Sequence, residues 1–143
     1  MPHLVVLYTG NLDQLTNMSA LCRSLADAML TVQDESGAQV FPTGGTRVLA
    51  YPAPHYAVAD GGAAGKAAGG DGDYAFMYLN LRMARGRSEA TQQRAGEAVL
   101  AAVKECMDPV MAERHIGITV NVDVGAEVFD AKHSTIHPLF KKP

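Results

Sequence analysis

Residues 74–83 read YAFMYLNLRM. Tyr74, Phe76 and Tyr78 fall on one side of this stretch, and Ala75, Met77, Leu79, Leu81 and Met83 on the other. That two-residue alternation is the mark of a strand. Gly86 follows as a turn. Ser88 then suits a helix N-cap, with Glu89 in the first turn, where the helix dipole favours an anion. Ala95, Ala98, Val99, Ala102, Val103, Cys106 and Met107 recur at three- and four-residue spacing, one apolar face of a helix. Asp108-Pro109 is expected to end that helix, or to cap and open a short second one. Ile118, Val120, Val122 and Val124 then alternate with Thr119, Asn121 and Asp123, predicting a half-buried strand.

The same order is written once before. His3–Thr9 is an apolar run closed by Gly10-Asn11, a turn pair. From about Thr16 to Thr31, Met18, Leu21, Cys22, Leu25, Met29 and Leu30 line one helical face. Residues 34–37 break that pattern, and Pro42, Gly44 and Gly45 make a second turn. Thr46–Tyr51 is the next predicted strand. Between the copies, residues 61–72 read GGAAGKAAGGDG, which is expected to be an exposed, mobile loop that cannot pack.

The chain is therefore strand–helix–strand written twice, in halves of about 1–60 and 73–143 joined by loop 61–72. Its 143 residues predict a single domain. A crossover between parallel strands is right-handed. Two such units predict an α/β (α+β) fold, a four-stranded sheet with two helices on one face. The opposite sheet face then needs a cover, for which a partner subunit is the simplest candidate.

Composition narrows the partners. A formal net charge of -3 argues against nucleic acid. Cys22 and Cys106 are too few for a disulfide framework and are expected as buried free thiols. The N-terminus shows no basic segment followed by a long apolar one, and no apolar run is long enough for a bilayer span. A soluble, cytoplasmic protein with no membrane partner is the expectation.

Candidate chemistry begins at Met1-Pro2. Removal of Met1 would leave Pro2 as a secondary amine at the start of a strand. An apolar pocket and nearby cations would favour its neutral, basic form near neutral pH. Met-Pro by itself is commonplace. Arg87, in Gly86-Arg87-Ser88, sits where a strand meets a helix N-terminus, a place that suits a carboxylate. Arg47 opens a strand after a Gly-Gly turn. Each arginine alone is equally well a surface residue. Other signals fail. The stretch around Lys66 lacks both the first glycine and the Ser or Thr of a phosphate-binding loop. His133 and His137 are four apart, without a helical pattern or a third ligand, so no metal is expected. No Gly-x-Ser-x-Gly elbow is present.

Taken together, these residues resemble the tautomerase superfamily, and most closely the 5-carboxymethyl-2-hydroxymuconate isomerase family. The resemblance rests on Met1-Pro2-His3, on Phe41-Pro42 with Gly45 and Arg47, on Asp73-Tyr74-Ala75-Phe76, on Gly86-Arg87-Ser88, on Gln92-Gln93 and Gly96-Glu97, and on His137-Pro138-Leu139-Phe140. It implies a duplicated β-α-β unit in a homotrimer. It implies Pro2 as catalytic base, Arg47 and Arg87 as substrate-binding residues, and no cofactor. His3 and Tyr8 are further candidate pocket residues. The substrate implied is a small di- or tricarboxylate, an unsaturated 2-hydroxy or 2-oxo acid of aromatic-acid catabolism. Two departures stand out: Leu7 occupies a position that is acidic in some relatives, and residues 61–72 look like an insertion that would alter substrate choice if it bordered the pocket. A phenylpyruvate-type tautomerase or a dehalogenase on the same fold is the alternative. A non-catalytic trimeric binding protein is another, should Met1 be retained, because the Pro2 nitrogen would then be a non-basic amide.

Overall fold

A computed structural model describes residues 2–125 and 127–141. Met1, whose removal the proline reading requires, lies outside the described residues. Four strands form one mixed sheet: β1 (His3–Thr9), β2 (Arg47–Ala53), β3 (Ala75–Ala84) and β4 (Ile116–Gly125). Their order across the sheet is β2-β1-β3-β4. β1 and β2 are parallel, β3 and β4 are parallel, and the halves meet antiparallel through β1 and β3. The predicted doubled unit is therefore what forms.

Two helices cover one sheet face. α1 (Met18–Leu30) is capped by Asn17, whose side chain accepts from the Ala20 amide at 3.0 Å. The Ser88 side chain caps the long helix that follows β3, accepting from the Thr91 amide at 3.1 Å. Beneath the helices lie Leu4, Val6, Met77, Leu79 and Leu81, all fully buried, together with Leu21, Leu25, Val99, Val103 and Met107. The alternation of β3 thus sorts as the sequence indicates.

That long helix runs from Glu89 to Met111, straight through Pro109. Asp108-Pro109 neither ends it nor begins another. Pro109 stands in the last turn, so its missing N–H removes one bond where the ladder is about to end. Buried Met107 and partly buried Val110 hold that turn on the core.

Residues 61–72 are mostly exposed, as expected, but they hold regular structure and pack locally. They enclose a second, five-residue helix, α2 (Ala63–Ala67); the long helix Glu89–Met111 is α3 in chain order. The segment packs through backbone rather than through side chains. Asp60 accepts from the amides of Gly62 and Ala64, each at 2.9 Å. Gly65 is buried and donates its amide to the Tyr74 hydroxyl at 2.8 Å. At Gly62, with φ at 118°, a Cβ would stand 2.1 Å from the Gly72 carbonyl oxygen. Small residues are what permit this close approach. Cys22 and Cys106 are free thiols as expected, but half-buried rather than buried.

The other sheet face carries no helix. Arg47, His3, Arg82 and Asp123 form one row across it, Leu49, Val5, Asn80 and Asn121 the next, and Tyr51, Leu7, Tyr78 and Thr119 a third. Leu7 and Leu49 are each 48% exposed and Tyr51 51%. Among the described residues, no helix is long and apolar enough to cross a membrane.

Candidate functional site

Strand direction brings the site together. β1 begins where the antiparallel β3 ends, so Pro2 comes beside the segment that leaves the sheet as Ala84-Arg85-Gly86-Arg87. Gly86 has φ at 109°, a conformation that allows the sharp turn into α3 at little steric cost only for glycine. A second wall comes from the turn between α1 and β2, where Val40 and Phe41 are buried. Between them lies a cavity of about 280 Å³ lined by Pro2, Phe41, Arg85, Arg87, Lys132 and His137 among others.

Pro2 is buried in this wall. Arg87 is pinned across the cavity, its Nη2 donating to the Val40 carbonyl at 2.9 Å. One Arg87 donor spent on a backbone carbonyl leaves others for a carboxylate. Nearby, Asp34 is held below the usual carboxylate range by hydrogen bonds from the Ser36 side chain and the Ala38 amide, with further help from the charge of Arg87.

The other predicted residues are placed differently. Arg47 and His3 are register partners on the open sheet face and line a separate cavity of about 240 Å³ with Asp130, Lys132 and His133. Burial lowers the His3 pKa below its ordinary value, and the cations Arg47 and Arg82 add to that effect. Tyr8 lies on the helix-covered face, 5% exposed, its hydroxyl donating to Asp13 at 2.6 Å. Burial first, and that bond second, push its pKa up to about 12. Tyr8 is thus a core residue and lines neither cavity. The segment 61–72 packs where β3 and β4 begin, through Tyr74 and His115, at the end of the sheet away from Pro2. It borders neither cavity.

Two cations that sequence reasoning missed complete the picture. Arg85 shares the glycine turn with Arg87, and its i, i+2 spacing about Gly86 was a usable signal. Lys132 lies in a tail without periodicity, and nothing local marks it. Lys132 lines both cavities. His133 and His137 open onto different cavities, and no cluster of three metal-ligating side chains occurs among the described residues.

This doubled β-α-β sheet is the tautomerase fold. A fused 4-OT protein, solved as an asymmetric trimer, overlays with a TM-score of 0.55 over 97% of this chain and 99% of that one, at 15% identity. The family is more specific. The model of the 5-carboxymethyl-2-hydroxymuconate isomerase family matches residues 2–140, and the chain belongs to that family. The 5-carboxymethyl-2-hydroxymuconate Delta-isomerase of Escherichia coli is 23% identical, over 99% of this chain and all of its own length. A crystal structure of a 5-carboxymethyl-2-hydroxymuconate delta-isomerase is 64% identical, covering 100% of this chain and 95% of that one with a TM-score of 0.96. A 5-carboxymethyl-2-hydroxymuconate isomerase from Deinococcus radiodurans R1 is 28% identical over 99% and 95% of the two chains, with a TM-score of 0.78.

Proposed function

We propose that this chain isomerises 5-carboxymethyl-2-hydroxymuconate with Pro2 as the catalytic base. Family membership supports the reaction. The observation that carries the site is a buried Pro2 sharing one cavity with Arg85, Arg87 and Lys132. Three cations beside one amine favour its neutral form and attract a polyanion, the two properties this reaction needs.

The free Pro2 nitrogen takes the proton of the substrate's 2-hydroxyl or of a carbon conjugated to it. The electron pair spreads over the conjugated system as a dienolate. The same nitrogen returns the proton to a different carbon, and the double bond has moved. Nothing is oxidised or reduced overall. Arg87 holds a carboxylate and stabilises charge on the 2-oxygen, which is greatest in the intermediate and therefore lowers the barrier. Arg47, in the adjoining cavity, holds another carboxylate. The reaction belongs to aromatic-acid breakdown in the cytoplasm and needs no cofactor.

Assembly is a homotrimer, with neighbouring copies covering the open sheet face. The support is that face itself, where Leu7, Leu49 and Tyr51 stand half-exposed in adjacent rows.

The experiment is intact-protein mass spectrometry beside an isomerisation assay, on wild type and Pro2→Ala. Loss of the proline base should cost about 10²–10⁴-fold in rate. Full activity in a sample that wholly retains Met1 would overturn the role of Pro2. Turnover of phenylpyruvate without turnover of the muconate would overturn the substrate.

A further inference from the structure

We propose that Lys132 is a substrate-binding residue that joins the two arginine cavities into one site and selects for a third carboxylate. The proposal rests on the isomerase reading for its substrate, and on geometry for its residue.

Size comes first. The Pro2–Arg87 cavity is about 280 Å³ and the His3–Arg47 cavity about 240 Å³. Each falls just under the range of about 300–1,000 Å³ usual for small-molecule sites. An extended polyacid reaching both Arg87 and Arg47 must pass the wall between them, and Lys132 is the side chain on both sides of that wall. It also edges a third hollow of about 640 Å³, but that one holds neither Pro2 nor an arginine.

Chemistry comes second. Nζ contacts the Asp130 carboxylate at 2.7 Å, and the lysine side chain is 43% exposed. An ammonium has three donors, so two stay available for a ligand. A hydrogen bond from Lys132 holds Asp130 below its ordinary pKa. An exposed pair two residues apart contributes little to stability, which leaves its position at the wall as the feature to explain. Asp130 takes one donor of the ammonium and competes for it with a substrate carboxylate. Arg87, Lys132 and Arg47 then present three cations along one path, matching three carboxylates.

The test compares Lys132→Met and Asp130→Asn with wild type. Both variants remove the same ion pair, but only the first removes the cation. The assay substrates are 5-carboxymethyl-2-hydroxymuconate and 2-hydroxymuconate, which lacks the third carboxylate. Lys132→Met should raise KM for the tricarboxylate by about tenfold or more, the worth of one charge-assisted hydrogen bond. KM for the dicarboxylate should change much less, and Lys132→Arg should restore most of the loss. Asp130→Asn should leave the tricarboxylate KM unchanged or lower it. Equal losses in Lys132→Met and Asp130→Asn would show that the pair only pins the tail, and would overturn the proposal. So would equal losses on the two substrates. Calorimetric titration with propane-1,2,3-tricarboxylate and with glutarate separates this idea from the isomerase reading. If wild type turns over neither muconate yet binds the tricarboxylate in a Lys132-dependent way, the isomerase reading falls and the role of Lys132 stands. Binding of both acids that ignores Lys132→Met refutes the role.

Discussion

The two faces of the sheet share the same four strands but are built to different ends. On the helix side, Leu4, Val6, Met77, Leu79 and Leu81 are fully buried under α1 and α3. On the open side, apolar Leu7, Leu49 and Tyr51 stand half-exposed beside polar groups that bond across strands. There the Tyr78 hydroxyl accepts from Asn121 at 3.1 Å, and Asn80 donates to Asp123 at 2.8 Å. A protomer's own stability resides in the first face. In the homotrimer proposed above, the second face would be covered by neighbours, and its cross-strand bonds already pair some of the polar groups that would be buried. Its charged row, Arg47, His3, Arg82 and Asp123, lies at the Pro2 end, where open face and site meet.

Substitutions on the two faces should therefore separate folding from assembly. Leu79→Ala, at a fully buried position, should destabilise the protomer by about 2–5 kcal/mol in denaturant unfolding. A loss well under 1 kcal/mol would mean that this face is not the core that carries the fold. Leu7→Asp should change protomer stability far less, since substitutions at exposed positions usually stay within about 0.5 kcal/mol. Its effect should be on mass in sedimentation, from three copies towards one. An unchanged assembly mass would remove the distinction between the faces. The smallest effect concerns His3. Its folded pKa lies below the unfolded value, first through burial and then through Arg47 and Arg82. The unfolded chain therefore binds its proton first as pH falls, so stability declines from about pH 7 downward, through the unfolded value and on to the folded one. His3→Asn should remove that part of the pH dependence below about pH 7, and an unchanged slope in thermal melts would exclude His3 as its source.

Much of this plan was legible in the chain. The alternation of residues 74–83 predicted which side chains would be buried, because a strand's period is set by its own backbone. The stripe from Ala95 to Met107 did the same for α3, and Ser88 caps as read. Local signals misled at Pro109, where core contacts of Met107 and Val110 outweigh one missing hydrogen bond. They misled again at residues 61–72, because composition reports bulky side chains and this segment packs through glycine backbone and Asp60.

Residue order and periodicity were enough for the doubled strand–helix–strand plan, while Pro2, Arg47 and Arg87, each commonplace alone, stood out through their combination and the family resemblance. These are properties of short segments, or of a pattern spread along the whole chain. Folding settled the rest. Antiparallel pairing of β1 with β3 is what carries Arg85 and Arg87 to Pro2, while the parallel partner β2 takes Arg47 to a separate cavity. The tail that returns Lys132 to the wall between them has no period to read. Contacts among residues so far apart in the chain arise from sheet order and strand direction, which no local stretch encodes.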